Sequence, residues 1–156
     1  FGIAQALLGD PKLLIVDEPT AGLDPEERYR FHNLLSEIGE NVIIILSTHI
    51  VDDVRELCSS MAIIDMGKLL LVDDPQNTLC QYNGKIYKKV IEKDELQDYQ
   101  ERFHVVSSRL YLGRMMIHIF SNEQVTGFET IAPDLEDVYF LTINQNRQAE
   151  AEEEVA

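Results

Sequence analysis

Two adjacent carboxylates, Asp17 and Glu18, close an aliphatic run, Leu13-Leu14-Ile15-Val16, and are followed by Pro19-Thr20-Ala21-Gly22-Leu23-Asp24-Pro25. Four apolar residues in a row predict a strand buried on both faces, and open α/β sheets place their ligands at the carboxyl ends of such strands. A carboxylate pair at that point suits a metal-nucleotide site. One carboxylate can hold Mg²⁺ through its water shell, and the next can orient and deprotonate a water attacking a terminal phosphate. The sequence contains no G-x-x-x-x-G-K-[ST] loop, whose backbone would cradle the phosphates.

The elements that must position this pair are read outward from it. Upstream, Phe1 to Leu8 predicts a helix, stopped by Gly9 and Asp10-Pro11. Downstream, Asp24 is a helix N-cap, with Pro25 at the first helical position and Glu27 as capping-box partner. Phe31, Leu34, Leu35 and Ile38 fall on one face of that helix, and Gly39 ends it. Val42 to Leu46 predicts a second apolar strand that closes on Ser47-Thr48-His49. A short amphipathic helix marked by Ile50, Val54 and Leu57 follows. The strand-helix-strand-helix order through residue 58 favours an α/β layer with parallel strands.

Further along, Met61 to Asp65 and Lys68 to Val72 flank Met66-Gly67 as a hairpin, and Asp74-Pro75 starts another short helix. Past Tyr82-Asn83-Gly84 the character changes. Strands are predicted at 85–91, 105–110 and 115–120 and helices at 94–102 and 134–142, which makes a small α+β appendage. The division expected is therefore 1–83, 84–143 and an acidic, disordered tail at 144–156 that includes Glu150, Glu152, Glu153 and Glu154.

A formal net charge of -15, from 13 basic against 28 acidic residues, argues against binding to a nucleic-acid backbone. The longest aliphatic run, Val42 to Leu46, falls far short of the roughly 20 residues that span a bilayer. A membrane function would therefore require a partner. Phe1 to Leu8 lacks the basic start of a signal peptide, and the missing initiator Met suggests a start further upstream. Cys58 and Cys80 have no metal-type spacing and read as free thiols of a reducing cytosol.

The run from Leu13 to Pro25, with His49 at the end of the next strand, resembles the Walker B strand, D-loop and switch histidine of ATP-binding-cassette (ABC) ATPases. The likeness extends over residues 1 to about 80. It implies that Asp17 coordinates Mg²⁺ through water and that Glu18 is the general base or water-positioning group. It also implies that Asp24 faces a partner subunit across a dimer interface and that His49 contacts the terminal phosphate of ATP. His32, His104 and His118 lack such context and read as surface or packing residues. The first helix resembles the one that follows the signature loop, yet the signature, the glutamine-bearing loop and the adenine-stacking aromatic are all missing. The implied fold is a partial P-loop NTPase sheet, α/β in class, followed by the α+β appendage.

Ala132-Pro133-Asp134-Leu135-Glu136-Asp137-Val138-Tyr139-Phe140 resembles the P-x-L-E-D-V-F/Y ending of ATPase subunits from ABC-2-type exporters. The same residues also read as an acidic helix start before an amphipathic run. The resemblance implies an ATPase subunit peripheral on the inner face of the cell membrane, working as a dimer with a separate permease. Two alternatives stay open: an ABC ATPase with a client other than a transporter, and a non-catalytic acidic interaction module. By itself the chain is expected not to hydrolyse ATP.

Overall fold

The computed structural model describes residues 2–155, so Phe1 of the expected first helix and Ala156 of the expected tail lie outside the described residues. Helices and sheets alternate in a mixed α/β arrangement that divides into two units, Phe1–Cys58 and Ser59–Ala156.

In the first unit, α1 (Gly2–Ala6) tightens into a 3-10 turn at Leu7–Gly9. Asp10, not Gly9, takes the left-handed cap conformation (φ 48°), which a short polar side chain tolerates. Strands β1 (Leu13–Asp17) and β2 (Ile43–Ser47) pair in parallel, from Leu13 opposite Ile43 to Asp17 opposite Ser47. Between them runs α2 (Pro25–Gly39), and α3 (Val51–Leu57) follows β2.

The expectation that the first strand is buried on both faces needs correcting for the described residues. Leu14 is buried, but Ile15 and Ile45 are 69% and 53% exposed, and Leu13 and Ile43 lie on the same open face. The cause is one-sided cover. A Cβ on Gly39, at the end of α2, would stand 3.7 Å from Ile44 Cδ1, so that helix end sits on the opposite face. Leu35 of α2 is buried, whereas Leu34, expected on the same face, is 44% exposed.

The second unit opens with a hairpin of β3 (Met61–Asp65) and β4 (Lys68–Asp73), followed by α4 (Pro75–Tyr82). Met66 and Gly67 both have positive φ (48° and 78°), a turn whose twist matches the strands it joins. Strands β5 (Ile86–Ile91), β6 (His104–Tyr111), β7 (Arg114–Phe120) and β8 (Glu129–Ile131) form an antiparallel sheet in the order β6-β7-β5-β8. The three-residue β8 carries too little periodicity to be predicted. Helix α5 (Leu96–Arg102) begins as a 3-10 turn at Lys93–Glu95, close to the expected helix start.

One core of this unit gathers Tyr87, Ile91, Ile117 and Ile119 with Tyr99, Phe103 and Phe128. A second joins Ile63 to Val138 and Ile143 of α6 (Leu135–Val155). This second core explains why the chain divides after Cys58 and not at residue 83: the β3-β4 hairpin packs on the last helix and so belongs with the appendage. Helix α6 also runs through the region expected to be a disordered tail. Lys68 Nζ donates to Glu150 Oε1 (2.8 Å), Asn146 Nδ2 donates to the same oxygen (3.2 Å), and Arg147 Nε lies 3.5 Å from Asp65. These ties fasten the 146–150 stretch of the helix to the hairpin and to itself, where composition alone would leave it solvated.

Candidate functional site

Parallel pairing in register brings the C-terminal ends of β1 and β2 together, and with them Asp17, Glu18 and the segment Ser47 to His49. The Ser47 hydroxyl donates to Asp17 Oδ1, which orients an otherwise exposed carboxylate. The backbone N–H of Glu18 donates to Ser47 O at 2.8 Å, continuing the ladder one residue past the strand. Glu18 itself has φ 46°, a left-handed conformation that costs a non-glycine residue of order 1 kcal/mol and clusters at functional sites.

The Glu18 side chain turns toward the end of the neighbouring strand. Its Oε1 accepts from the His49 backbone N–H at 3.1 Å. Its Oε2 lies 2.7 Å from His49 Nδ1, close enough for an ion pair but without hydrogen-bond alignment, so this buried oxygen keeps unspent acceptor capacity. The His49 ring is three-quarters exposed, which leaves its far edge open to a ligand.

Asp17, Glu18 and His49 are thus brought together. Asp24 serves a different local role: its Oδ1 accepts from Glu27 N at 2.8 Å and caps α2, with Pro25 at the helix start as expected. Among the described residues no group of three or more His, Cys, Asp and Glu side chains forms a metal cage. The donor set at Asp17 nevertheless fits Mg²⁺, which favours hard oxygen ligands and commonly takes one or two carboxylates alongside waters and substrate phosphates.

Sequence reasoning missed the buried support behind this site. Asp53 of α3 is fully buried, and its Oδ1 accepts from Arg28 Nε (2.9 Å) and pairs with His32 Nε2 (2.9 Å). Its Oδ2 accepts from Thr20 Oγ1 (2.5 Å) and Thr48 Oγ1 (3.3 Å). Burial pushes the Asp53 carboxyl up, but the hydrogen bonds from Thr20, Arg28 and His32, with the Arg28 charge, outweigh it and hold the group below its usual range. His32, expected at the surface or in packing, is buried and also bonds Glu56 through Nδ1 at 2.8 Å. The signal was present in the sequence. Asp53 falls in the stripe of Ile50, Val54 and Leu57, and Arg28 and His32 lie four apart on α2.

In the second unit, the Pro133-to-Val138 motif is a helix start with reciprocal caps. Asp137 N donates to Asp134 Oδ1 (2.7 Å), Asp134 N donates to Asp137 Oδ2 (3.2 Å), and Leu135 and Val138 are buried. Asp137 Oδ1 also bonds the buried His118 through Nδ1 at 2.7 Å, so His118 is a packing residue with a polar anchor. Burial raises the Asp134 carboxyl, and the neighbouring Asp137 charge adds to the rise. His104 is held below its usual range by burial.

No family model matches the chain. Individual relatives do. The chain is 28% identical over 160 residues to an uncharacterised ABC transporter ATP-binding protein, YxlF, of Bacillus subtilis, covering 92% of this chain and 54% of that one. It is 33% identical over 110 residues to the Nod factor export ATP-binding protein I of Cupriavidus metallidurans, covering 69% of this chain and 35% of that one. It is 30% identical over 134 residues to the methionine import ATP-binding protein MetN 2 of Listeria monocytogenes, covering 80% and 38%. The chain spans about half the length of the first of these curated relatives and less of the other two. With the Asp17-Glu18 strand end set beside His49 and these likenesses over most of its length, the chain belongs to the family of ABC transporter ATP-binding proteins.

Proposed function

We propose that this chain carries the catalytic carboxylate, the D-loop and the switch histidine of an ATP-hydrolysing subunit that drives a separate membrane permease. The reading rests on one observation above others: Glu18 and His49, from the ends of adjacent parallel strands, meet at 2.7 Å with a buried Glu18 oxygen unspent. The β1-β2 pair would be part of a larger parallel P-loop sheet, consistent with the two residues' open-faced neighbours Ile15 and Ile45.

The chemistry then follows from the side chains. Glu18 Oε1 is held by the His49 amide, so the carboxylate cannot rotate freely, and Oε2 is the atom that takes the proton of an attacking water. His49, with Nδ1 set 2.7 Å from Glu18 Oε2, has a three-quarters exposed ring whose other nitrogen would, as an N–H, donate to a phosphate oxygen. Asp17, oriented by Ser47, is the carboxylate that would hold Mg²⁺. When bound, Mg²⁺ and ATP supply the phosphoryl group and the positive charge that offsets its charge build-up. Asp24, at an exposed helix start, would face a second such subunit across a nucleotide-dependent dimer interface.

Export is the direction proposed, through an ABC-2-type permease at the inner face of the cell membrane; its support is the 132–140 motif and the resemblance to a Nod factor export protein. Among the described residues no helix is long and apolar enough to cross a membrane, consistent with a permease supplied by another chain. The direct test is Glu18→Gln in the protein with its phosphate-binding half present. ATP binding should persist while turnover falls roughly 10²-fold or more, because the amide keeps the shape and loses the base. Turnover near the parent rate would remove Glu18 from the role.

A further inference from the structure

Asp53 is fully buried on α3 and plays no part in the chemistry just described. A buried carboxylate is costly to desolvate and persists only where donors surround it. Where those donors come from is informative. Thr20 lies on the loop between Glu18 and Asp24, and Thr48 immediately precedes His49. A single oxygen, Asp53 Oδ2, accepts from both, at 2.5 Å and 3.3 Å. The other oxygen is moored on α2 by Arg28 and His32, and His32 is moored in turn to Glu56.

We propose that Asp53 is a positioning residue: through Thr20 and Thr48 it ties the Glu18-bearing loop to the His49-bearing loop, so that the two meet in working geometry. The inference rests on the reading of Glu18 as the base. Two further observations support it. Glu18 sits in a left-handed conformation that must be held from outside, and Thr20, two residues on, is the nearest buried anchor on its C-terminal side. Thr48 Oγ1 also accepts from the Ile50 N–H at 3.0 Å, so the His49 loop is pinned on both sides of the histidine.

The test compares Thr20→Val and Thr20→Ser with the parent in the full-length protein. Thr20→Val keeps size and removes one donor, leaving Asp53 its contacts with Arg28 and His32. It should lower kcat for ATP roughly tenfold or more, as expected when a catalytic group is displaced by a fraction of an ångström to an ångström. KM for ATP should stay within about twofold, and Thr20→Ser should restore kcat. Backbone hydrogen exchange supplies a readout that needs no turnover. In Thr20→Val the amides of residues 20–23 and also of 48–50 should exchange faster, by about tenfold, because the shared oxygen couples the loops. An unchanged kcat, or faster exchange confined to the neighbourhood of residue 20, overturns the proposal. A parent protein without ATP turnover would fail the ATPase reading, and exchange at residues 48–50 would then decide the coupling alone.

Discussion

The open face of the β1-β2 pair supports a sharp prediction about what would lie over it in a protein of its relatives' length. Ile15 and Ile45 are directly opposite in the parallel register and are 69% and 53% exposed, with Leu13 and Ile43 beside them at 47% and 68%. Fully burying one such side chain contributes roughly 1.5 to 3 kcal/mol, so at these exposures each forgoes about 1 to 2 kcal/mol. The four together forgo about 4 to 7 kcal/mol, a large share of the 5 to 15 kcal/mol that holds a typical domain. If upstream elements of the gene product complete the sheet and cover this face, Ile15→Thr should behave differently in the two contexts. In the 156-residue chain the threonine is solvated and keeps strand preference, so unfolding should change by less than about 0.5 kcal/mol. In the extended protein the same change removes buried carbon and strands a hydroxyl, at a cost of about 2 to 4 kcal/mol. Urea denaturation of both lengths, with and without the substitution, measures the difference. An equally small effect in both would refute the reasoning, since the face would then stay uncovered in the longer protein.

His49→Ala should lower ATP turnover by roughly tenfold or more while leaving ADP affinity nearly unchanged, because the ring would read only the terminal phosphate; calorimetric titration with ADP and ATP checks this, and equal losses for both nucleotides would point to misfolding instead. Asp137→Ala removes both the cap on Asp134 and the partner of buried His118, and should destabilise the second unit by about 2 to 4 kcal/mol in urea. His104, held by burial below its ordinary 6.5, takes up protons in the unfolded chain before it does so in the fold. Its contribution is therefore intact above pH 6.5 and lost as pH falls through that value, so unfolding curves from pH 7.5 to 5 should lose part of their slope in His104→Phe.

Much of the first unit was legible in the chain because its signals are local. Asp24 before Pro25, Gly39 after an apolar stripe and the aliphatic runs at 13–16 and 42–46 each act through neighbouring backbone, and the elements formed within a residue or two of where they were expected. The hairpin at Met66-Gly67 is of the same kind, since both residues must take positive φ for a two-residue turn. What misled was composition read without context. The acidic stretch from residue 144 reads as solvated, yet Lys68 and Asp65 on the hairpin supply partners for Glu150 and Arg147 of α6, and no local rule reveals partners some 80 residues away.

The chemistry-bearing residues divide in the same way. Asp17 and Glu18 could be picked out from the sequence because strand ends of open α/β sheets are where ligands collect, whereas the expectation for His49 and for an ATP site came with the resemblance to ABC ATPases. That Glu18 meets His49 at 2.7 Å depends on parallel pairing in register, a tertiary fact. The Asp53 network depends on it still more: Thr20, Arg28, His32, Thr48 and Asp53 come from two loops and two helices, and only packing decides which polar groups share one buried oxygen. Sequence by itself determined the elements and the residue types available for chemistry, because periodicity, caps and turns act over a few residues. Tertiary structure decided the pairings, because burial makes an unpaired charge costly and so selects the partners that the fold must bring to it.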